Sequence, residues 1–239
     1  MRRMNWGGSL GLGLTVWLLV CGFLFQREQL DAPDVVSVKE YTGVEAAVTA
    51  IGTAPRTLLI PDVQTIAASI TIPATLTLRF VSAGRLSINT GVTVTYLGST
   101  ADWPVRQIFT GPGATPGVIF TRGGETVRAY PQWWGAVGDG AADDTLPCQR
   151  AIDAVGQSGG GQVYFPAGTY KLATRHSTGG PAKSVFVSWD NVTLEGAGEA
   201  SVLSAPSGVV PGGNVLLMGG MAKAATPAAR PTAFNSQKR

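Results

Sequence analysis

The chain has 239 residues, of which 32 are glycine and only 14% are charged, and its formal net charge is +3. Arg2 and Arg3 supply much of that excess, so the remainder carries little net charge and gives no support to a nucleic-acid partner. The two cysteines, Cys21 in an apolar run and Cys148 in a helical one, argue against an internal disulfide.

Arg2 and Arg3 precede an uncharged run from Asn5 to Phe25 that is rich in Leu, Val, Gly and Trp. A positive start followed by an apolar stretch is the pattern of an export signal. The run also approaches the roughly 20 residues that span a bilayer, so a retained anchor is the alternative. Val20-Cys21-Gly22 is only a fair cleavage site. Basic residues on the short N-terminal side predict that everything after them is translocated. Residues 1–26 are therefore expected to be a signal peptide or transmembrane helix. The remainder is expected to be secreted, or membrane-anchored outside the cytoplasm.

Residues 27–128 read as an irregular β region. Val44–Ile51 predicts a short helix that starts near Thr42 or Gly43, and Leu58–Ile60 is a short apolar run stopped by Pro61. Strands are expected at Ser69–Ile72, Leu76–Phe80, Leu86–Ile88, Val92–Leu97, Gln107–Phe109 and Val118–Phe120, separated by Pro, Gly, Ser or Asn.

The stretch from Tyr130 to Tyr170 organises the rest. Gly135, Gly138 and Gly140 mark a sharp turn, and Asp143, Asp144 and Thr145 stand where helix N-caps and first-turn acids belong. Pro147 fits the first helical turn, and Leu146, Ala151, Ile152 and Val155 give one apolar face. Gly159–Gly161 ends this helix. Val163–Phe165 and Thr169–Leu172 follow as strands around the turn Pro166-Ala167-Gly168, and then Ser184–Val187, Asn191–Leu194, Val202–Leu203 and Val215–Met218. Short strands at short spacing suit a solenoid whose coils stack on their neighbours. From Gly219 the composition turns to Ala, Pro and basic residues, and 219–239 is expected to be a disordered tail.

GAVGDGAADDT, a helix containing RAID, and then GGGQVYFPAGTYKL resemble the opening of the pectate lyase superfamily; the preceding YPQWWGA fits one bacterial and phage branch of it. The resemblance covers about residues 70–203. It implies an all-β, right-handed, single-stranded parallel β-helix at 129–218, with the Thr145–Val155 helix capping its N-terminal end. The family includes polysaccharide lyases, polygalacturonase-type hydrolases and phage tailspikes. The implied activity is cleavage of an acidic polysaccharide by a lyase or hydrolase. A non-catalytic, tailspike-like glycan binder is the alternative, and so is a truncated remnant whose further coils are missing. Ca²⁺ is implied as a cofactor if the chain is a lyase, and a homotrimer is known among the tailspike relatives.

Candidate site residues follow from residue type. Asp139, Asp143 and Asp144 form an acidic cluster able to hold a metal through oxygen ligands, although helix capping and turn formation explain the same residues. Trp133 and Trp134 could stack on sugar rings or pack the cap, and Trp189 could meet a sugar from a loop. His176 is the only histidine and has no acidic neighbour, and Arg150, Lys171, Arg175 and Lys183 are candidate bases by type alone. No catalytic set follows from this, because the acids and bases do not recur together on successive coils.

Overall fold

The computed structural model describes residues 34–111, 117–121, 126–174, 183–206 and 214–218. The export segment at 1–26, the tail at 219–239, Arg175 and His176 lie outside them. Among the described residues no helix is long and apolar enough to cross a membrane.

The first stack opens with β1 (Val35–Ser37) and helix α1 (Val44–Ile51). Its coils are built from β2 (Arg56–Ile60), β3 (Val63–Ile66) and β4 (Ile70–Ile72), then β5 (Leu76–Phe80), β6 (Arg85–Ile88) and β7 (Val94–Tyr96), then β8 (Phe109–Thr110) and β9 (Val118–Phe120). Strands in successive coils pair in parallel, giving sheets ordered β1-β2-β5, β3-β6-β8 and β4-β7-β9. The region expected to be irregular is therefore a ladder in register: Leu58 lies beside Leu78, Ile66 beside Ile88, and Ile72 beside Tyr96. Alternation explains it. In Leu76-Thr77-Leu78-Arg79-Phe80 the three apolar side chains are buried and Arg79 is exposed, as a strand with one dry face requires.

The second stack contains β10 (Arg128–Ala129), a 3-10 turn at Pro131–Trp134, β11 (Asp139–Asp143) and helix α2 (Thr145–Gln157). It continues with β12 (Gly161–Phe165), β13 (Gly168–Lys171), β14 (Lys183–Val187), β15 (Val192–Gly196), β16 (Ser201–Ser204) and β17 (Asn214–Met218). Its sheets are again parallel, in the orders β10-β12-β15, β11-β13-β16 and β14-β17. The described chain is thus mostly β, with few helices and a β-helix-like arrangement of parallel strands.

Among the described residues, two α-helices accompany the coils. Helix α1, not the Thr145 helix, precedes the first coil; Val44 and Ala47 are fully buried in the core, and Glu45 Oε1 accepts a 2.7 Å bond from the Ala67 N–H. Helix α2 instead lies between the stacks, packed on β9 and on β10, β12, β14 and β15. Cys148, Ala151, Ile152, Ala154 and Val155 are all buried there. The Gly/Asp-rich stretch, expected as a turn alone, also pairs along β13 with an irregular register from Asp139 to Asp143. Its residues are mostly exposed and have no apolar alternation, so periodicity does not reveal it as a strand.

An aromatic cluster joins the stacks. Trp103 meets Phe80 edge-on with ring centroids 5.2 Å apart, and lies 5.2 Å from Trp133, which in turn contacts Phe120 and Tyr130. The indole N–H groups are satisfied: Trp103 donates to the Leu78 carbonyl at 3.1 Å and Trp133 to the Pro104 carbonyl at 3.0 Å.

Candidate functional site

The acidic cluster is built into the scaffold. Asp144 is fully buried, and its carboxylate accepts the N–H groups of Val137 at 2.7 Å and Gly138 at 3.0 Å. It occupies the N-cap position of α2, but its side chain reaches back to the turn rather than capping the helix. Asp143 takes that work, accepting the Thr145 N–H at 3.0 Å together with the Thr145 and Thr174 hydroxyls and the Ala173 N–H. Asp139 accepts the N–H groups of Ala141 and Ala142, both at 2.8 Å. Among the described residues no group of three His, Cys, Asp or Glu side chains is arranged to hold a metal ion.

These bonds have a consequence for acid stability. Burial pushes the Asp143 pKa up, but the donors from Thr145, Thr174 and Ala173 outweigh it and bring the value from 3.8 down to about 2. A depressed folded-state pKa contributes stability that is complete above about pH 4 and lost as pH falls towards 2. The side chain is exposed, so screening limits this contribution to about 1 kcal/mol. Urea midpoints at about pH 5 and pH 2.5 will show a drop in the wild type that is smaller by that amount in Asp143→Asn. An equal drop in both proteins would count against the assignment.

The tryptophan candidates separate. Trp133 is fully buried and Trp134 is 5% exposed, so neither offers a face to a sugar; their packing role explains both. Trp189 is 36% exposed, but its ring covers Gly156 of α2, where an added Cβ would lie 2.0 Å from the indole Cγ. Its N–H donates to Asp153 at 3.0 Å. Nearby, Gln149 pairs with both backbone groups of Phe186, accepting its N–H at 2.9 Å and donating to its carbonyl at 3.0 Å, and so fixes α2 to β14.

The basic candidates do not converge. Lys171 donates to the Ala141 carbonyl at 3.1 Å, and Arg150 is half-buried with its pKa lowered by that burial. The Lys183 backbone pairs with Asn214, in β14 and β17. Burial pushes the Cys148 thiol pKa upward, which leaves it an inert core group rather than a nucleophile.

A different set of side chains comes together on the outward face of the β10-β12-β15 sheet. Ala129 and Val163 point into the core, which turns Arg128, Gln162, Tyr164, Thr193 and Glu195 outward, while Tyr130, just past the strand, is half-buried against Trp133 at the edge of this face. The Arg128 guanidinium lies 4.4 Å from the centre of the Tyr164 ring, and Tyr130 meets Tyr164 edge-on at 5.8 Å. Arg128 Nε donates to Gln162 Oε1, Gln162 Nε2 donates to Glu195, and Arg128 Nη2 is 3.5 Å from the Glu195 carboxylate. Three successive coils thus present one connected row of a guanidinium, an amide and a carboxylate beside two phenol rings.

This row borders a concavity of about 530 Å³ lined by Phe120, Val127, Ser158, Gly159–Gly161, Asn191, Gln162 and Thr193. Gly160 and Gly161 shape its wall. Both have positive φ, and a Cβ would strike the Asn191 backbone in one case and the Val127 carbonyl in the other. The chemistry available is recognition of a carboxylate by a planar donor fork and of a ring by an aromatic face.

Residues 132–227 match the family model described as rhamnogalacturonase A/epimerase, pectate lyase-like. Mannuronan C5-epimerase AlgE3 of Azotobacter vinelandii is 39% identical over 121 residues, which are 47% of this chain and 6% of that protein. Alginate lyase 7 of the same organism is 43% identical over 67 residues, 27% of this chain and 7% of the relative. Plasmin and fibronectin-binding protein A of Streptococcus pneumoniae is 63% identical over 38 residues, 16% of this chain and 5% of the relative. The matched part of the chain is therefore a small fraction of each relative's length. No solved structure matches it significantly.

Proposed function

We propose that this chain, which belongs to the pectate lyase-like superfamily through residues 132–227, binds an acidic polysaccharide on the outward face of the β10-β12-β15 sheet and takes part in modifying it. The observation that carries this reading is Arg128, held over Tyr164 and beside Gln162. A polyuronate carries a carboxylate on each sugar; an arginine fork recognises that group in two-point fashion, and a tyrosine ring packs on the apolar face of the sugar. The names of the relatives, mannuronan C5-epimerase and alginate lyase, point to a polyuronate as the polymer class. Lyase and C5-epimerase chemistry share a first demand: the carboxylate beside the departing proton must be neutralised. Arg128 supplies that neutralising charge in this reading. The coils are of the right-handed kind that the family implies, and the apolar run after Arg2 and Arg3 directs them out of the cytoplasm.

The test is retention of the full-length chain by polymannuronate and by neutral dextran in affinity electrophoresis. Binding to polymannuronate alone is expected, with Arg128→Ala weakening it about tenfold, the loss of roughly one charge-assisted contact. Equal binding by Arg128→Ala would move the site elsewhere. Incubation with the polymer separates the activities, since a lyase creates unsaturated chain ends and an epimerase changes the C5 configuration without cutting.

A second reading, a surface binder without catalysis, is favoured by the short similarity to a plasmin and fibronectin-binding protein. Polymer binding with neither new chain ends nor altered configuration would select it.

A further inference from the structure

We propose that Glu195 is a built-in competitor for the carboxylate site on Arg128, so that the face admits a polymer with closely spaced carboxylates and turns away isolated ones. This rests on the polyuronate reading above. Arg128 is not an empty receptor. Its guanidinium is already engaged by Gln162 Oε1 and by the Glu195 carboxylate, and the Gln162 amide holds that same carboxylate in place. Glu195 therefore sits where the acidic group of a ligand would sit, with the contacts that such a group would make.

The exchange is inexpensive in one case and unprofitable in the other. The side chains of Arg128 and Glu195 are 46% and 44% exposed, and ion pairs this open contribute little to stability. A single uronate that displaces Glu195 swaps one carboxylate for another and gains almost nothing. A polyuronate does the same at Arg128 but keeps further contacts with the Tyr130 and Tyr164 rings and with the concavity beside Gln162 and Thr193. Once it is held at those points, its next carboxylate is presented to Arg128 at high local concentration. Glu195 thus acts on specificity and does not itself touch reacting atoms.

Glu195→Gln removes the competing charge while keeping the size and an amide that Gln162 can still meet. Full-length chains are compared for affinity to polymannuronate and to a monomeric uronate, with Glu199→Gln as the control. Glu199 lies in the turn Gly198–Ala200 and carries the same charge outside this row. The expected result is that Glu195→Gln binds polymannuronate about threefold more tightly and gains measurable affinity for the monomer, whereas Glu199→Gln binds as the wild type does. A merely structural cross-coil pair would give no gain in affinity. Unchanged or weaker polymer binding by Glu195→Gln overturns the inference while leaving the polyuronate reading intact. An equal gain in Glu199→Gln also overturns it, since net charge alone would then be responsible. No polyuronate binding by the wild type or any variant overturns the reading itself, and this inference with it.

Discussion

Replacing Trp133 with alanine will lower the stability of the fold by about 3–5 kcal/mol, the range for deleting a large aromatic from a close-packed core. The ring is fully buried and lies at the centre of the cluster between the stacks, 5.2 Å from Trp103, 5.3 Å from Tyr130 and 6.1 Å from Phe120. Those neighbours sit on separate strands and turns, so they cannot collapse together into the space without moving backbone. The substitution also removes the 3.0 Å indole N–H bond to the Pro104 carbonyl, which keeps only the Arg106 N–H at 2.9 Å. Urea denaturation followed by circular dichroism measures the effect. A loss below about 1 kcal/mol would mean that the cluster is not tightly packed.

Asp144→Ala comes next, with an expected loss of about 3 kcal/mol from two bonds to a charged acceptor in a dry site. The carboxylate ties the start of the turn between Trp134 and α2 to the helix, through the N–H groups of Val137 and Gly138. Its backbone is committed as well: the Asp144 N–H donates to the Lys171 carbonyl at 2.8 Å, and its carbonyl accepts the Cys148 N–H at 2.9 Å. The alanine variant keeps these backbone bonds and leaves the Val137 and Gly138 N–H groups without their acceptor. Asp144→Asn keeps an acceptor for one of the two donors, so its loss should fall between wild type and Asp144→Ala. The same denaturation series reads both, and an asparagine variant as unstable as the alanine one would contradict the bonding scheme.

Much of the fold was legible because its physics is local. Leu76–Phe80 and Val118–Phe120 were read with their observed bounds, since alternation between flanking Pro or Gly residues leaves little choice. The Thr145 helix was also plain, extending two residues further to Gln157 before the glycines end it. Its additional packing on β9 was not, because a helix buried on two sides and a helix covering one open end can share the same apolar stripe. Val63–Ile66 escaped notice since Val63 is exposed and only Ile66 is buried.

The site was the least legible part, for a reason of register. Arg128 and Gln162 are 34 residues apart and pair in register, and Gln162 reaches Glu195, 33 residues on, diagonally, since Thr193 lies beside Gln162 and Glu195 beside Tyr164. Residue type pointed instead to Asp139, Asp143, Asp144, Trp133 and Trp134, which are adjacent in sequence and spent on turns and packing. The usable signal was an outward residue between two buried ones, Arg128 between Val127 and Ala129 and Tyr164 between Val163 and Phe165.

The interruption of the ladders at α2 bears on cooperativity. In a solenoid, order spreads from each repeat to the next across their shared interface. Here none of the described sheets runs through from the first stack to the second. Transmission at that point passes through indole and phenyl rings, with bonds such as the Ile108 N–H to the Trp133 carbonyl and the Phe120 N–H to the Ser158 hydroxyl. The joint therefore differs in kind from the interfaces within each stack, resting on rings, on α2 packed against both sides and on single bonds rather than on a continuous ladder.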